Sequence, residues 1–208
     1  MSSVIATTAI RGRFLDIQNT VAQARDIHDQ VRYVEDGLVI IHEGKIQWFG
    51  PWQEGQSRLP TNAELKHYPD QLIVPGFIDT HIHFPQTEMV GAYGEQLLEW
   101  LNTYTFPTEI QFQDASYSEK IAEFFVQELL KNGTTTALVF CTVHPESVDA
   151  LFNAATTRNM SLIAGKVLMD RHAPEALTDT AETAYIDSKT LIEKWHGKGR
   201  NLYAITPR

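Results

Sequence analysis

His81 and His83 stand one residue apart in the run Phe77-Ile78-Asp79-Thr80-His81-Ile82-His83-Phe84. The run is rich in apolar and β-branched residues, which predicts a strand. Alternate residues of a strand face the same way, so the two imidazoles stand side by side, about 6 to 7 Å apart at Cβ. Neutral imidazole is the commonest metal donor, and two on one face can reach one ion. Asp79, two residues before His81, is expected on the same face but deeper. Gly76 permits a tight entry. The pair ends its strand, and C-terminal strand ends are where parallel α/β enzymes carry their chemistry. The alternative is two unrelated histidines that cap a strand.

Other reactive residues carry weaker signals. Cys141-Thr142-Val143-His144 has a Cys-x-x-His spacing, but no second pair accompanies it, so a buried cysteine is expected. Cys141 or Thr142 could still line a pocket at the end of its strand. Asp170, at the end of its strand, could line the site or cap the following segment, with the structural role expected. His28, His42, His67, His172 and His196 have no partners in sequence and read as surface residues. Trp100 and Phe106 read as packing or lid residues. No glycine-rich phosphate loop and no Gly-x-Ser-x-Gly elbow occurs.

Composition narrows the chemistry. A single cysteine excludes an internal disulfide framework and a thiolate zinc finger, and fits a reducing cytosol. Any metal must then be held by imidazole and carboxylate. A net charge of −9 repels phosphate backbones, so nucleic acid is not expected as a partner. A hydrophobic fraction of 43% is enough for a folded core. The longest apolar runs, such as Ala137 to Cys141, fall far short of the roughly 20 residues that span a bilayer. The start of the chain has no long apolar stretch after a basic segment, so no signal peptide is expected.

The elements that position these residues fall into two unequal parts. Residues 1–72 read as a β module. Ile5 to Ile17 mixes β-branched residues with Arg and Gly. Gly37–Ile41 and Lys45–Phe49 read as strands joined by a Glu43-Gly44 turn, with Gly50-Pro51 ending the second. Asn19 to Tyr33 reads as a loop or short helix. From Leu72 onward strands alternate with helices. Leu72–Val74 leads through Pro75-Gly76 into the histidine strand. Glu95–Tyr104, Ser118–Lys131, Glu146–Arg158 and Asp179–Trp195 read as helices, with Ser118 as an N-cap. Thr134–Phe140, Leu162–Met169 and Leu202–Thr206 read as strands. Alternating strands and helices argue for a parallel sheet with helical crossovers. Four such strands fit a small open sheet or half of an eight-stranded barrel.

The stretch Val74 to His83 resembles the first barrel strand of the amidohydrolase superfamily of metal-dependent hydrolases. Gly37 to Gly50 is similar to the β-sandwich module that flanks that barrel. More narrowly, His81-Ile82-His83-Phe84-Pro85-Gln86, Trp100-Leu101, Tyr104-Thr105-Phe106-Pro107-Thr108-Glu109 and Lys166-Val167-Leu168-Met169-Asp170 resemble the guanine deaminase family. The resemblance implies an α/β fold: a β-sandwich module over residues 1–72, then the first four βα units of a (β/α)8 barrel over 73–208.

The resemblance implies that His81 and His83 bind one zinc ion, and that Gln86 and Arg208, the latter in Thr206-Pro207-Arg208, contact a purine. The expected reaction is hydrolytic deamination of guanine to xanthine and ammonia, with zinc activating a water. It also implies a homodimer for the full-length protein, and the single cysteine makes a cytoplasmic location the expectation. The family's further zinc ligands and its acid/base glutamate come from later strands, beyond Arg208. This chain therefore holds no expected catalytic acid or base and reads as an N-terminal portion, inactive alone. Two alternatives stay open: another amidohydrolase acting on a different heterocyclic amine or an amide, and a non-catalytic half-barrel that needs a partner chain.

Overall fold

The turn between the second and third strands is set by two left-handed residues, Glu43 at φ 51° and Gly44 at φ 71°. Positive φ at both central positions gives the twist a two-residue hairpin needs, and Gly44 adopts it at no steric cost. The computed structural model describes residues 7–19, 23–94 and 96–208. Ile5, residues 20–22 of the polar stretch and Glu95, the expected first residue of a helix, lie outside the described residues. The chain divides into two units, Met1–Pro75 and Gly76–Arg208.

In the first unit, β1 (Thr8–Ile17), β2 (Val31–His42), β3 (Lys45–Pro51) and β4 (Glu64–Ile73) form one sheet in the order β3-β2-β1-β4. β2 runs antiparallel to both neighbours, and β4 runs parallel to β1. β2 is longer than the expected Gly37–Ile41 strand, and a 3₁₀ segment (Ala24–Gln30) leads into it. β3 runs on to Pro51, which an edge strand tolerates because its N–H side can face away from the ladder. The short helix α1 (Trp52–Gly55) follows. Ala9, Leu38 and Ile40 form the core, with Trp48, Trp52 and Leu59 packed on it. Leu72 and Ile73 depart from expectation. They belong to β4, opposite Arg13 and Phe14, and not to the approach of the histidine strand.

The second unit carries the histidine strand. Its strands are β5 (Phe77–His83), β6 (Thr134–Phe140), β7 (Ser161–Gly165), β8 (Val167–Leu168), β9 (Asn201–Tyr203) and β10 (Thr206–Pro207). β5-β6-β7-β9 form an all-parallel sheet, and β8 pairs with β10, also in parallel. Among the described residues β5 pairs only with β6, and β9 only with β7. The helices are α2 (Leu97–Trp100), α3 (Phe106–Ile110), α4 (Ala115–Lys131), α5 (Pro145–Thr157) and α6 (Ala181–Trp195). The expected Glu95–Tyr104 helix is, in its described part, α2 followed by a π-turn, Leu101–Thr105.

α4 begins three residues before its expected start. Asp114 is its N-cap, accepting from the N–H groups of Ser116 (2.7 Å) and Tyr117 (3.2 Å). Ser118, the expected cap, is buried inside the helix and donates to the Phe112 carbonyl at 2.9 Å. A carboxylate binds free helix N–H groups at least as well as a hydroxyl does, so the cap falls on Asp114. The core gathers Phe84, Phe112, Phe125, Val139, Leu151 and Leu162.

The third and fourth expected strands of this unit are each split. Lys166 interrupts β7 and β8. The Lys166 N–H donates to the Tyr203 hydroxyl (3.2 Å), and its carbonyl accepts from Thr206 Oγ1 (2.7 Å). Side chains thus satisfy backbone groups that a ladder would otherwise use. A Cβ on Gly165 would collide with the Ala204 carbonyl oxygen, so glycine permits this close crossing. No helix among the described residues is long and apolar enough to cross a membrane.

Candidate active site

β5 contains a bulge at His81. Asp79 stands opposite Ala137 and Ile82 opposite Val139, so β5 spends one more residue than β6 between them. Asp79 Oδ1 accepts from the His81 N–H at 3.0 Å. Asp79 is therefore bound into the bulge and does not stand free below the imidazoles. The two rings lie edge to face with centroids 5.3 Å apart. Both rest on Phe140, the last residue of β6. Its ring stacks on His83 at 4.8 Å and 12°, and meets His81 at 5.1 Å.

Burial holds the His83 pKa down at about 4, helped by the charge of Arg208 and by His81. The ring is neutral at neutral pH, which is its donor form. Its Nδ1 is buried with no hydrogen-bond partner. An unsatisfied buried imidazole nitrogen beside a second imidazole fits a metal ion such as zinc. No group of three or more His, Cys, Asp and Glu able to hold a metal occurs among the described residues. The pair thus offers part of a catalytic zinc's protein ligand set, which usually numbers three.

Gln86 sits in the 3₁₀ turn Phe84–Met89 that follows β5 directly, anchored by the buried Phe84 and Pro85. Arg208 follows β10, and its N–H donates to the Leu168 carbonyl at 3.1 Å. The two line different concavities. Gln86 shares one of about 710 Å³ with His81, His83 and Trp100, whereas Arg208 shares one of about 310 Å³ with Asp170 and Thr180.

Glu109 is the partner of Arg208. Arg208 Nη1 donates to Glu109 Oε1 at 2.6 Å. Glu109 Oε2 is buried and keeps no hydrogen-bond partner. Burial raises the Glu109 pKa; Arg208 and Gln86 pull it back only in part.

Sequence reasoning gave Glu109 no role, although a signal was present. Phe106, Glu109 and Phe112 follow one another at intervals of three, and all three are buried. Residues three apart share a helix face, so the flanking phenylalanines place the acid on the inward side. Phe106 itself packs with Val143, Val167, Met169 and Leu177.

The weaker candidates resolve as follows. Cys141 is fully buried in the core, and burial pushes its thiol pKa far up. Thr142 is buried and donates to Ser147 Oγ at 2.9 Å. Asp170 is exposed and accepts two hydrogen bonds, both 2.7 Å, from neighbouring Arg171. His144 is half-buried with Nε2 unpartnered. Two histidines expected at the surface make specific contacts. His42 shares a hydrogen bond with Thr7 (3.1 Å), and His196 accepts from the Tyr203 N–H (3.1 Å). His28, His67 and His172 are exposed.

Comparison with known proteins supplies a context for this geometry. The sequence profile of the Amidohydrolase family matches residues 72–208. The chain is 57% identical to the guanine deaminase of Escherichia coli (strain K12) over 208 residues, all of this chain and 47% of that protein. The solved structure of E. coli guanine deaminase superposes with a TM-score of 0.93 at 58% identity, over 97% of this chain and 46% of that one. A guanine deaminase from C. acetobutylicum, solved with guanine in its active site, superposes with a TM-score of 0.82 at 27% identity, over 97% of this chain and 46% of that one. The chain spans about half the length of these relatives.

Proposed function

This chain belongs to the amidohydrolase family, and from that membership we propose that it forms the N-terminal part of a zinc-dependent guanine deaminase. One observation carries the reading: two adjacent imidazoles line one cavity with the Gln86 amide, and the Arg208 guanidinium is held by a buried carboxylate. The imidazoles suit a metal, the amide and guanidinium a heterocycle with both donor and acceptor edges. Identity of 57% to a guanine deaminase supports guanine as the substrate.

In this reading residues 73–208 are the first four βα units of a (β/α)8 barrel, and residues 1–72 are part of a β-sandwich module. The all-parallel β5-β6-β7-β9 order supports the barrel, as do the two edges left unpaired among the described residues. His81 and His83 hold a single zinc ion, with further ligands and the acid/base residue supplied by the rest of the full-length protein. Zinc bound there supplies a nucleophilic water at neutral pH. The water oxygen bonds to the amino-bearing carbon of guanine, the carbon–nitrogen bond breaks, and ammonia leaves with the transferred proton. Xanthine remains. Gln86 and Arg208 hold the ring in place while this occurs. The 208 residues alone are inactive in this reading. The full-length protein is further read as a cytosolic homodimer, on the family resemblance and on a single cysteine, which fits a reducing compartment.

The test is ammonia release by the full-length protein from guanine, adenine, cytosine and an aminotriazine. Release from guanine alone or in large excess supports the reading. Release only from another ring amine transfers the chain to a different amidohydrolase specificity. Release from none, with a stable zinc-free complex to another chain, would mean a non-catalytic half-barrel.

A further inference from the structure

We propose that Glu109 is a positioning residue: its buried carboxylate fixes Arg208, so that the remaining guanidinium donors meet the ring carbonyl of a purine. This deepens the guanine deamination reading and rests on it.

The Glu109 side chain is 1% exposed, and Arg208 is the ionic partner that the structure gives it. A buried carboxylate without a partner is costly, so the two side chains hold each other. The contact is also long-range. Glu109 lies on α3, near the middle of the chain, whereas Arg208 follows β10. A guanidinium on a flexible stem is thereby tied to a helix whose neighbouring turns are anchored by Phe106 and Phe112. One N–H is committed to Glu109 Oε1. The remaining guanidinium donors stay free for a ligand.

A guanidinium offers only donors. Held by Glu109, the free N–H groups of Arg208 suit an acceptor such as a ring carbonyl. A purine that carries an amino group in place of that carbonyl meets them with donors instead. Without the carboxylate the guanidinium is free to swing, and the match is lost.

The test uses the full-length protein with Glu109→Gln and Glu109→Asp, and follows KM, kcat and the selectivity for guanine over adenine. Loss of one charge-assisted contact predicts a rise in KM for guanine of about 10- to 100-fold in Glu109→Gln, with a smaller change in kcat. Selectivity for guanine falls in parallel. Arg208→Ala in the Glu109→Gln background raises KM further, because it also removes the donors themselves, but by less than the two single changes summed, because the two residues share one contact. Glu109→Asp keeps the charge and recovers part of the affinity. A merely structural role would lower the melting temperature and the yield of active protein with KM and selectivity unchanged; that result, or an unaltered Glu109→Gln enzyme, overturns the proposal. If Glu109→Gln does not fold, the KM and selectivity of Glu109→Asp decide in the same way. Failure of the deamination reading shows separately, as no ammonia from guanine with the unmutated protein.

Discussion

Arg208 Nη1 meets Glu109 Oε1 at 2.6 Å, a contact between residues 99 positions apart in the chain. Glu109 is buried and Arg208 is mostly so. Arg208→Ala therefore leaves a carboxyl in an apolar site without its cation. The expected loss of stability is about 3 kcal/mol at pH 8, read from urea denaturation of the full-length protein.

That loss depends on pH, with a sign the site fixes. The Glu109 pKa is raised above its ordinary value of 4.5, with burial as the main cause. A raised carboxyl favours folding when protonated. Its contribution is present below the unfolded value of about 4.3 and is lost as pH rises through the folded value. Removing Arg208 removes the charge that pulls this pKa down. The cost of Arg208→Ala should then grow as pH rises from 5 to 8. A cost that stays constant across that range would contradict the assignment.

The two imidazoles predict a metal response. His81→Ala and His83→Ala should each weaken zinc binding by more than about 100-fold, since losing a residue that only supports a ligand already costs about 10- to 100-fold. Phe140→Ala removes the ring on which both imidazoles rest. It should weaken zinc binding by about tenfold, which is a supporting residue's effect. Metal content after dialysis against graded chelator reads all three.

Lys166 makes a structural prediction. It is fully buried, and its Nζ donates to both Asp179 oxygens at 2.9 and 2.7 Å. Lys166→Ala strands the aspartate and should cost about 3–5 kcal/mol. The double change Lys166→Met with Asp179→Leu should recover most of it, because an apolar pair of similar volume replaces the ion pair. Denaturation midpoints of the two variants separate these outcomes.

Much of this was legible in the sequence, and the exceptions share a cause. The α4 and α5 helices and the Thr134–Phe140 strand follow from local apolar periodicity. The histidine pair follows from a spacing of two on a strand. What escaped depends on partners far away in sequence. Glu109 gains its meaning from Arg208, the split of the Leu162–Met169 strand comes from Tyr203 and Thr206, and Leu72-Ile73 is claimed by β1. The bulge at His81 is local, but a side chain that bonds its own backbone leaves the apolar pattern unchanged.

Cys141 should be inert in the native protein. It is fully buried, and burial pushes the thiol pKa far above its ordinary value, so the reactive thiolate is scarce. Alkylation by iodoacetamide at pH 8 should proceed only at the rate of unfolding. Rapid labelling of the folded protein would contradict that burial.

The central claim is that His81, His83, Gln86 and Arg208 belong to one hydrolytic site for guanine. The most direct measurement is turnover of guanine by the zinc-loaded full-length protein in heavy-oxygen water. The account predicts equal amounts of ammonia and xanthine, with one solvent oxygen in each xanthine. Guanine recovered unchanged, while the protein is folded and holds zinc, would contradict it.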